Sequence, residues 1–424
     1  MRRIIYALLM LQLSLQAQNQ KVTLADCYIG ARERHPSYSD QLRIQQINKL
    51  KVENAGIQWL PQLFLNGQAN YQSDAIDLSI PISLPNQAPT FKRIQTDKDQ
   101  YKATVDVSQL LFDGGTVKVQ KQIAELSTQT DVLQTEVDIH KGKEQVNQVY
   151  FYMLILKQNE HLLQTTVNNL LEKRKSIESG VANGLLNEND LRLIDVELMK
   201  IKQQIKELQI AYTANVNVLA EITGLKLDTS VQLVLPDSIN DVNDSLSRSE
   251  LLLFESQRKT TDLSKQLLQT QRVPKLYTFG QLGYGKPGLN MLGNEFNTFY
   301  IVGVSLKWNI WDWNKTNRDK QVLGLQKEQI SSKETQFVRN IKIAEENYRS
   351  KIEQLESAVV SDGQIIELHK EIVSKNSLRL DQGLITTTEY LNSVSAETIA
   401  KIQGEVHKIQ LLQARCDLKI LKGN

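Results

Sequence analysis

"LLFDGGTVKV" spans Leu110 to Val119, and "NIWDWNKTNR" spans Asn309 to Arg318. In both, an Asp follows an apolar pair that ends in an aromatic, with an alternating segment before it and a long helical pattern after it. Asp113 and Asp312 differ by 312 − 113 = 199 positions. The same shift pairs Tyr101 with Tyr300, Val105 with Val304, Leu156 with Leu355, Gly184 with Gly383, Leu185 with Leu384 and Gly224 with Gly423. A repeat of this length is a duplicated half of a fold, since solenoid repeats are roughly 20 to 50 residues long. Upstream, Pro61 and Pro274 match at a shift of 274 − 61 = 213, so the first half carries 213 − 199 = 14 extra residues between Tyr71 and Tyr101, read as a loop insertion.

Each half contains two segments of period two. Leu63, Leu65, Gly67, Ala69 and Tyr71 alternate with Phe64, Asn66, Gln68 and Asn70, and Tyr101, Ala103, Val105 and Val107 alternate with Lys102, Thr104, Asp106 and Ser108; Tyr300, Val302, Val304, Leu306 and Trp308 repeat the pattern, while Leu276 to Tyr284 is ambiguous. Strands of about ten residues with flanking aromatics suit a transmembrane β-barrel. An ordinary antiparallel sheet with one wet face carries the same pattern.

The rest is helical. Val146, Val149, Met153, Leu156, Leu163, Val167, Leu170 and Ile177 follow steps of three and four, with Glu160 and Arg174 at the polar positions of the stripe. Similar stripes run through Leu191 to Ile222, Ile341 to Leu380 and Ile399 to Ile420. The spacing predicts, in each half, a helix of about 60 residues, a Gly-containing turn, and a returning helix of about 35; the longer one reaches roughly 90 to 100 Å. Gly184 and Gly383 allow the reversals, and Asn187 or Thr386 can cap the returning helices. Asp113 and Asp312, at the strand-to-helix junctions, can accept from free N–H groups of the first turn.

Composition narrows the function. A net charge of +2 gives no electrostatic signature of a nucleic-acid partner. "MRRIIYALLMLQLSLQAQ" has a basic start, a short apolar stretch and a small residue at Ala17, which reads as a cleaved secretory signal. No later stretch reaches the roughly 20 apolar residues of a membrane helix. Cys27 and Cys416 are the only cysteines; Cys416 falls on an apolar helical register, so a small buried residue is expected there, and a Cys27 to Cys416 bridge stays open in an oxidising compartment. His35, His140, His161, His369 and His407 form no pair with ligand or catalytic spacing, no Gly-rich phosphate loop is present, and no Ser has a nucleophile-elbow context. No enzymatic activity, cofactor or metal is expected.

The duplicated halves, "LPQL" and "VPKL" before strands, "LFDGG" and "IWDW" at the junctions, and "GLLNENDL" and "GLITTTEYL" at the helical turns together resemble the outer membrane efflux protein family, the TolC-type trimeric channels. The resemblance covers essentially the whole mature chain. It implies a mainly α protein with a transmembrane β-barrel: long coiled-coil helices forming an α-barrel, plus four strands per chain, in duplicated halves. The corresponding segments are a signal peptide 1–17, an N-terminal helical segment 18–60, a first strand pair with external loop 61–112, a first long hairpin 113–223, an equatorial linker 224–246, a helical segment 247–273, a second strand pair with external loop 274–311, and a second hairpin with the C-terminus 312–424.

The resemblance also implies partners and sites. It predicts a homotrimer in outer-membrane lipid that extends into the periplasm, a periplasmic adaptor contacting the hairpin tips at Gly184, Leu185, Gly383 and Leu384, and an inner-membrane transporter supplying energy. The family's acidic entrance positions fall on Asp190, Glu389 and Asn392, and its latch Arg position falls on Ile385. This chain therefore keeps fewer entrance carboxylates and lacks that latch. Asp190 and Glu389 fit equally as solvated acids at a helix start. The competing reading is a soluble periplasmic coiled-coil scaffold or adaptor, which explains the hairpins but not strands of membrane length ahead of both long helices.

Overall fold

The computed structural model describes residues 21–82, 85, 89–236 and 245–423. The expected signal peptide lies outside them, as do residues 83, 84 and 86–88 of the first external loop and 237–244 of the linker. In chain order the elements are β1 (Lys21–Val22), α1 (Leu24–Arg34), α2 (Pro36–Ile57), β2 (Gln62–Tyr71), β3 (Asp77–Ile82), β4 (Thr90–Gln95), β5 (Asp99–Phe112), α3 (Thr116–Ala182), α4 (Glu188–Thr223), β6 (Gln232–Leu233), α5 (Ser249–Thr270), β7 (Lys275–Lys286), β8 (Asn297–Lys307), α6 (Lys315–Asp381) and α7 (Thr387–Lys422). The duplication is carried through to the helix ends. Adding 199 to the bounds of α3 and α4 returns the bounds of α6 and α7, and the matched helices have 67 and 36 residues in both halves.

Among the described residues two compact units emerge, one from the described parts of 42–132 with 253–332, the other from 21–41 with 133–236, 245–252 and 333–423. In the first, four strands form one antiparallel sheet in the order β2-β5-β7-β8. Its central seam joins β5 of one half to β7 of the other. The register sorts the side chains into two faces. Leu65, Val105, Leu282 and Tyr300 form one cross-strand row, while the neighbouring positions Phe64, Asp106, Gln281 and Ile301 form a row on the opposite face. The apolar face is unusually open, with Leu65 80% and Tyr300 75% exposed. The ambiguity at Leu276 to Tyr284 resolves into a strand whose alternation is masked by glycines. Phe299 covers Gly283 and Phe279 covers Gly303 across β7 and β8, so closely that a Cβ at either glycine would collide with the ring. All four tryptophans flank this sheet in sequence, Trp59 just before β2 and Trp308, Trp311 and Trp313 just after β8. Amphipathic rings at strand ends suit a membrane interface.

One difference concerns the segment between Tyr71 and Tyr101 that carries the 14 extra residues. Instead of an irregular loop it contains a two-stranded hairpin, β3 with β4, closed by a bidentate Arg93–Asp77 pair. Alternating Leu78, Ile80 and Ile82 give it a strand period that the surrounding Pro and polar residues conceal.

The helical unit has a core that includes Tyr150, Phe151, Met153, Val216 and Leu219, all buried. Cys27 and Cys416 are both free and both buried in that core, where burial pushes each thiol up to about 12. The N-terminal segment 18–60 is not wholly helical, because β1 pairs in parallel with β6 of the linker. Tyr150 ties the two together by donating its hydroxyl to the carbonyls of Val22 and Val234. α1 ends at Arg34 and α2 starts at Pro36, since a residue before proline is steered out of the helical region. Among the described residues, no helix is long and apolar enough to cross a membrane.

α3 runs unbroken through His140. Arg248 Nη1 lies 2.7 Å from His140 Nε2. The same Nε2 lies 2.9 Å from the Ile420 carbonyl, so it faces one group that can only donate and one that can only accept. Burial, then Arg248 and Lys143, pull this imidazole down to about 4, against the opposing pull of Glu250 and the Ile420 carbonyl. An unfolded His gains its proton near pH 6.5, whereas the folded one resists until about 4. Stability should therefore fall as pH drops from 6.5 towards 4. In a melting-temperature series across that range, His140→Gln should remove part of the slope; a slope identical to wild type would refute the assignment.

Candidate functional site at the helical turns

Both hairpin turns are built alike. Two residues beyond the end of α3 lies Gly184, with φ +73, and two beyond the end of α6 lies Gly383, with φ +70, conformations that a Cβ opposes. The Leu185 amide donates to the Gly180 carbonyl at 2.9 Å and the Leu384 amide to the Arg379 carbonyl at 2.8 Å, satisfying late helix carbonyls. Leu185 and Leu384 then point outward, 72% and 64% exposed.

The returning helices start with reciprocal capping boxes. Asn187 accepts from the Asp190 amide at 3.3 Å, while the Asp190 carboxylate accepts from the Asn187 amide at 3.0 Å. Thr386 and Glu389 repeat this at 3.2 and 2.8 Å. The backbone and then the hydroxyl of Thr386, both donating, hold the exposed Glu389 carboxyl below its ordinary value. Both expected entrance acids thus serve as the N3 members of helix-capping boxes. Asn392 is exposed one turn after Glu389, and Ile385, where the resemblance puts a latch Arg, packs against the local apolar cluster. Leu170, Ile177 and Ile194 of the first hairpin join Leu380, Tyr390 and Val394 of the second in that cluster.

The strongest polar link between the hairpins lies on residues that the stripe reading passed over. Lys173 is 7% exposed in its side chain, and its ammonium donates to Asp381 Oδ1 at 2.8 Å and to the carbonyl and hydroxyl of Ser377 at 2.9 Å. Ser176 also donates to Asp381, at 2.8 Å, and the Lys173 ammonium sits 5.2 Å from the centre of the Tyr390 ring. The Arg174 of the stripe turns instead to Asp195 of the returning helix, in a two-point pair at 2.6 and 3.2 Å. Lys173 could have been noticed, because it lies three residues after Leu170 and four before Ile177, on their side of the helix.

At the strand-to-helix junctions the two acids act as caps. Asp113, 3% exposed, accepts from the Gly115 amide at 2.8 Å and the Val117 amide at 2.6 Å. Asp312 accepts from the Thr316 amide at 3.0 Å and from its hydroxyl. Both junctions use two consecutive left-handed residues, Gly114 and Gly115 with φ +68 and +89, then Trp313 and Asn314 with φ 51 and 62.

Comparison with known proteins gives three findings. The model of the family described as outer membrane efflux protein matches residues 40–225. No curated protein matches the sequence. Among solved structures, the outer-membrane channel OprN shares 15% identity at a TM-score of 0.69, covering 95% of this chain and 90% of its own. The outer membrane protein VceC from Vibrio cholerae shares 13% at 0.66, covering 95% and 96%. The open-state outer membrane channel MtrE of Neisseria gonorrhoeae shares 17% at 0.65, covering 95% and 89%. At such identities the structural likeness speaks for the fold.

Proposed function

We propose that this chain is a member of the outer membrane efflux protein family, whose model matches residues 40–225, and that it is the exit duct of a tripartite efflux or secretion system. It resides in the outer membrane and extends into the periplasm. The observation that carries the reading is the four-stranded sheet with one open apolar face and unpaired outer edges at β2 and β8. A sheet edge in a bilayer leaves amides and carbonyls without partners, which closure into a barrel removes. One chain supplies too few strands, because the smallest membrane barrels have about eight. Three chains supply 3 × 4 = 12. The function is passive conduction, with no chemical step assigned to any residue.

In this reading a periplasmic adaptor docks on the tips at Gly184, Leu185, Gly383 and Leu384, and an inner-membrane transporter supplies the energy. The open leucines at the tips support it, since exposed apolar side chains at a turn need cover. Asp190, Glu389 and Asn392 form the polar edge of the entrance, the two acids doubling as caps. The test is the mass of the mature protein extracted from membranes, followed by conductance in a planar bilayer. A trimer that needs detergent and conducts is the expected result; a monomer released without detergent would instead leave a periplasmic scaffold.

A further inference from the structure

The polar face of the sheet carries a carboxylate that none of the roles above uses. Among the four strands the only acidic residues are Asp99 and Asp106, both on β5. Asp99 opens the strand opposite Tyr71, whereas Asp106 sits in its middle, in the row with Phe64, Gln281 and Ile301. Three strands converge on it. Asn66 donates to Oδ2, Gln281 donates to Oδ1 at 2.5 Å, and Thr104 donates to Oδ2 at 3.1 Å.

All three donors are neutral, so they fix the orientation of the carboxylate without cancelling its charge. Lys102 is four positions earlier on the same face, about 13 Å along the strand. Its ammonium is 4.9 Å from the centre of the Phe299 ring. Asp106 is therefore held in place as a charge directed at whatever fills the space beside this face.

We propose that Asp106 is a selectivity-determining residue of the barrel lumen, favouring cationic over anionic solutes. The inference rests on the trimeric conduit of the preceding subsection. There the apolar face meets lipid and the polar face lines the lumen. Threefold symmetry then sets three Asp106 carboxylates at one level, and a ring of like charges in a confined aqueous path attracts counter-ions and repels co-ions. Asn66, Thr104 and Gln281 are positioning residues, since they keep the carboxylate from folding onto the wall.

The test is the reversal potential of the purified trimer in a planar bilayer under a KCl gradient, at about 0.1 M, where the screening length is about 10 Å. Asp106→Asn should keep conducting while its cation-over-anion permeability ratio falls at least about threefold, and Asp106→Glu should keep most of the selectivity. Asp106→Ser, smaller and uncharged, serves as a second neutral variant and should match Asn. At about 1 M salt, where screening shortens to about 3 Å, the difference should shrink. An unchanged reversal potential in a conducting Asn or Ser variant would overturn the proposal, as would a shift that persists at high salt. Wild-type trimers that conduct without cation preference would refute the role of Asp106 alone, whereas wild-type protein that never conducts would refute the conduit itself.

Discussion

Gly114→Ala should cost about 3 kcal/mol or more of folding stability. Two penalties coincide there. The backbone is left-handed at φ +68, and an added Cβ would lie 2.6 Å from the Val273 Cβ and 2.7 Å from its Cγ1. Val273 is separated from β7 by Pro274 alone, so it cannot recede without disturbing the central seam of the sheet. Gly115→Ala separates the terms. It shares the positive φ, at +89, but meets nothing within 4 Å, so it should lose only about 1 to 2 kcal/mol. The second junction is the reverse case, because Trp313 and Asn314 already hold left-handed conformations without glycine. Asn314→Gly should be neutral or stabilise by up to about 1 kcal/mol. Thermal unfolding of detergent-solubilised protein measures the series, and equal losses from Gly114→Ala and Gly115→Ala would show that Val273 yields.

Lys173→Met should weaken the joint between the hairpins by about 3 kcal/mol, the low end of the roughly 3 to 5 kcal/mol lost when one member of a buried ion pair is removed, because Asp381 is 45% exposed. The ammonium is 7% exposed in its side chain and holds the carbonyl and hydroxyl of Ser377 together with Asp381. Burial pushes the Asp381 carboxyl up, yet hydrogen bonds from Lys173 and Ser176 outweigh it and hold the group below its ordinary value. A depressed carboxyl contributes stability in full above its unfolded value near pH 4 and loses it as pH falls below. Hydrogen exchange should quicken in the last turns of α3 and α6 in Lys173→Met. Asp381→Asn added to it should cost less than the sum of the single changes, because the two share one interaction. Additive losses with unaltered exchange would mean that the link is ornamental and the apolar cluster alone joins the hairpins.

Much of the fold was legible because its signals are local. The 199-residue shift, the capping residues Asn187 and Thr386, and the glycines 184 and 383 act over three or four neighbours, and they set the ends of the helices. Period two found three of the four sheet strands plainly; β7 was obscured because Gly280 and Gly283 carry no side chain of their own, and the space over Gly283 is filled by Phe299 from β8. The entrance acids were legible as positions, but their employment as N3 members of capping boxes followed only from the hydrogen bonds.

The sequence by itself determined the duplication, the lengths of the helical hairpins, the two-faced strands and the cap at each junction, since each depends on contacts within a turn or on a simple period. Tertiary structure alone decided that β5 pairs with β7 across the two halves, that β1 joins β6, and that the insertion folds as a hairpin. It likewise brought Lys173 to Asp381, 208 residues away, and Gln281 to Asp106, 175 residues away. Contacts over such separations leave no period or spacing in the chain. They exist because apolar faces must be covered and strand edges paired, and only the assembled fold selects which polar groups are then left facing one another.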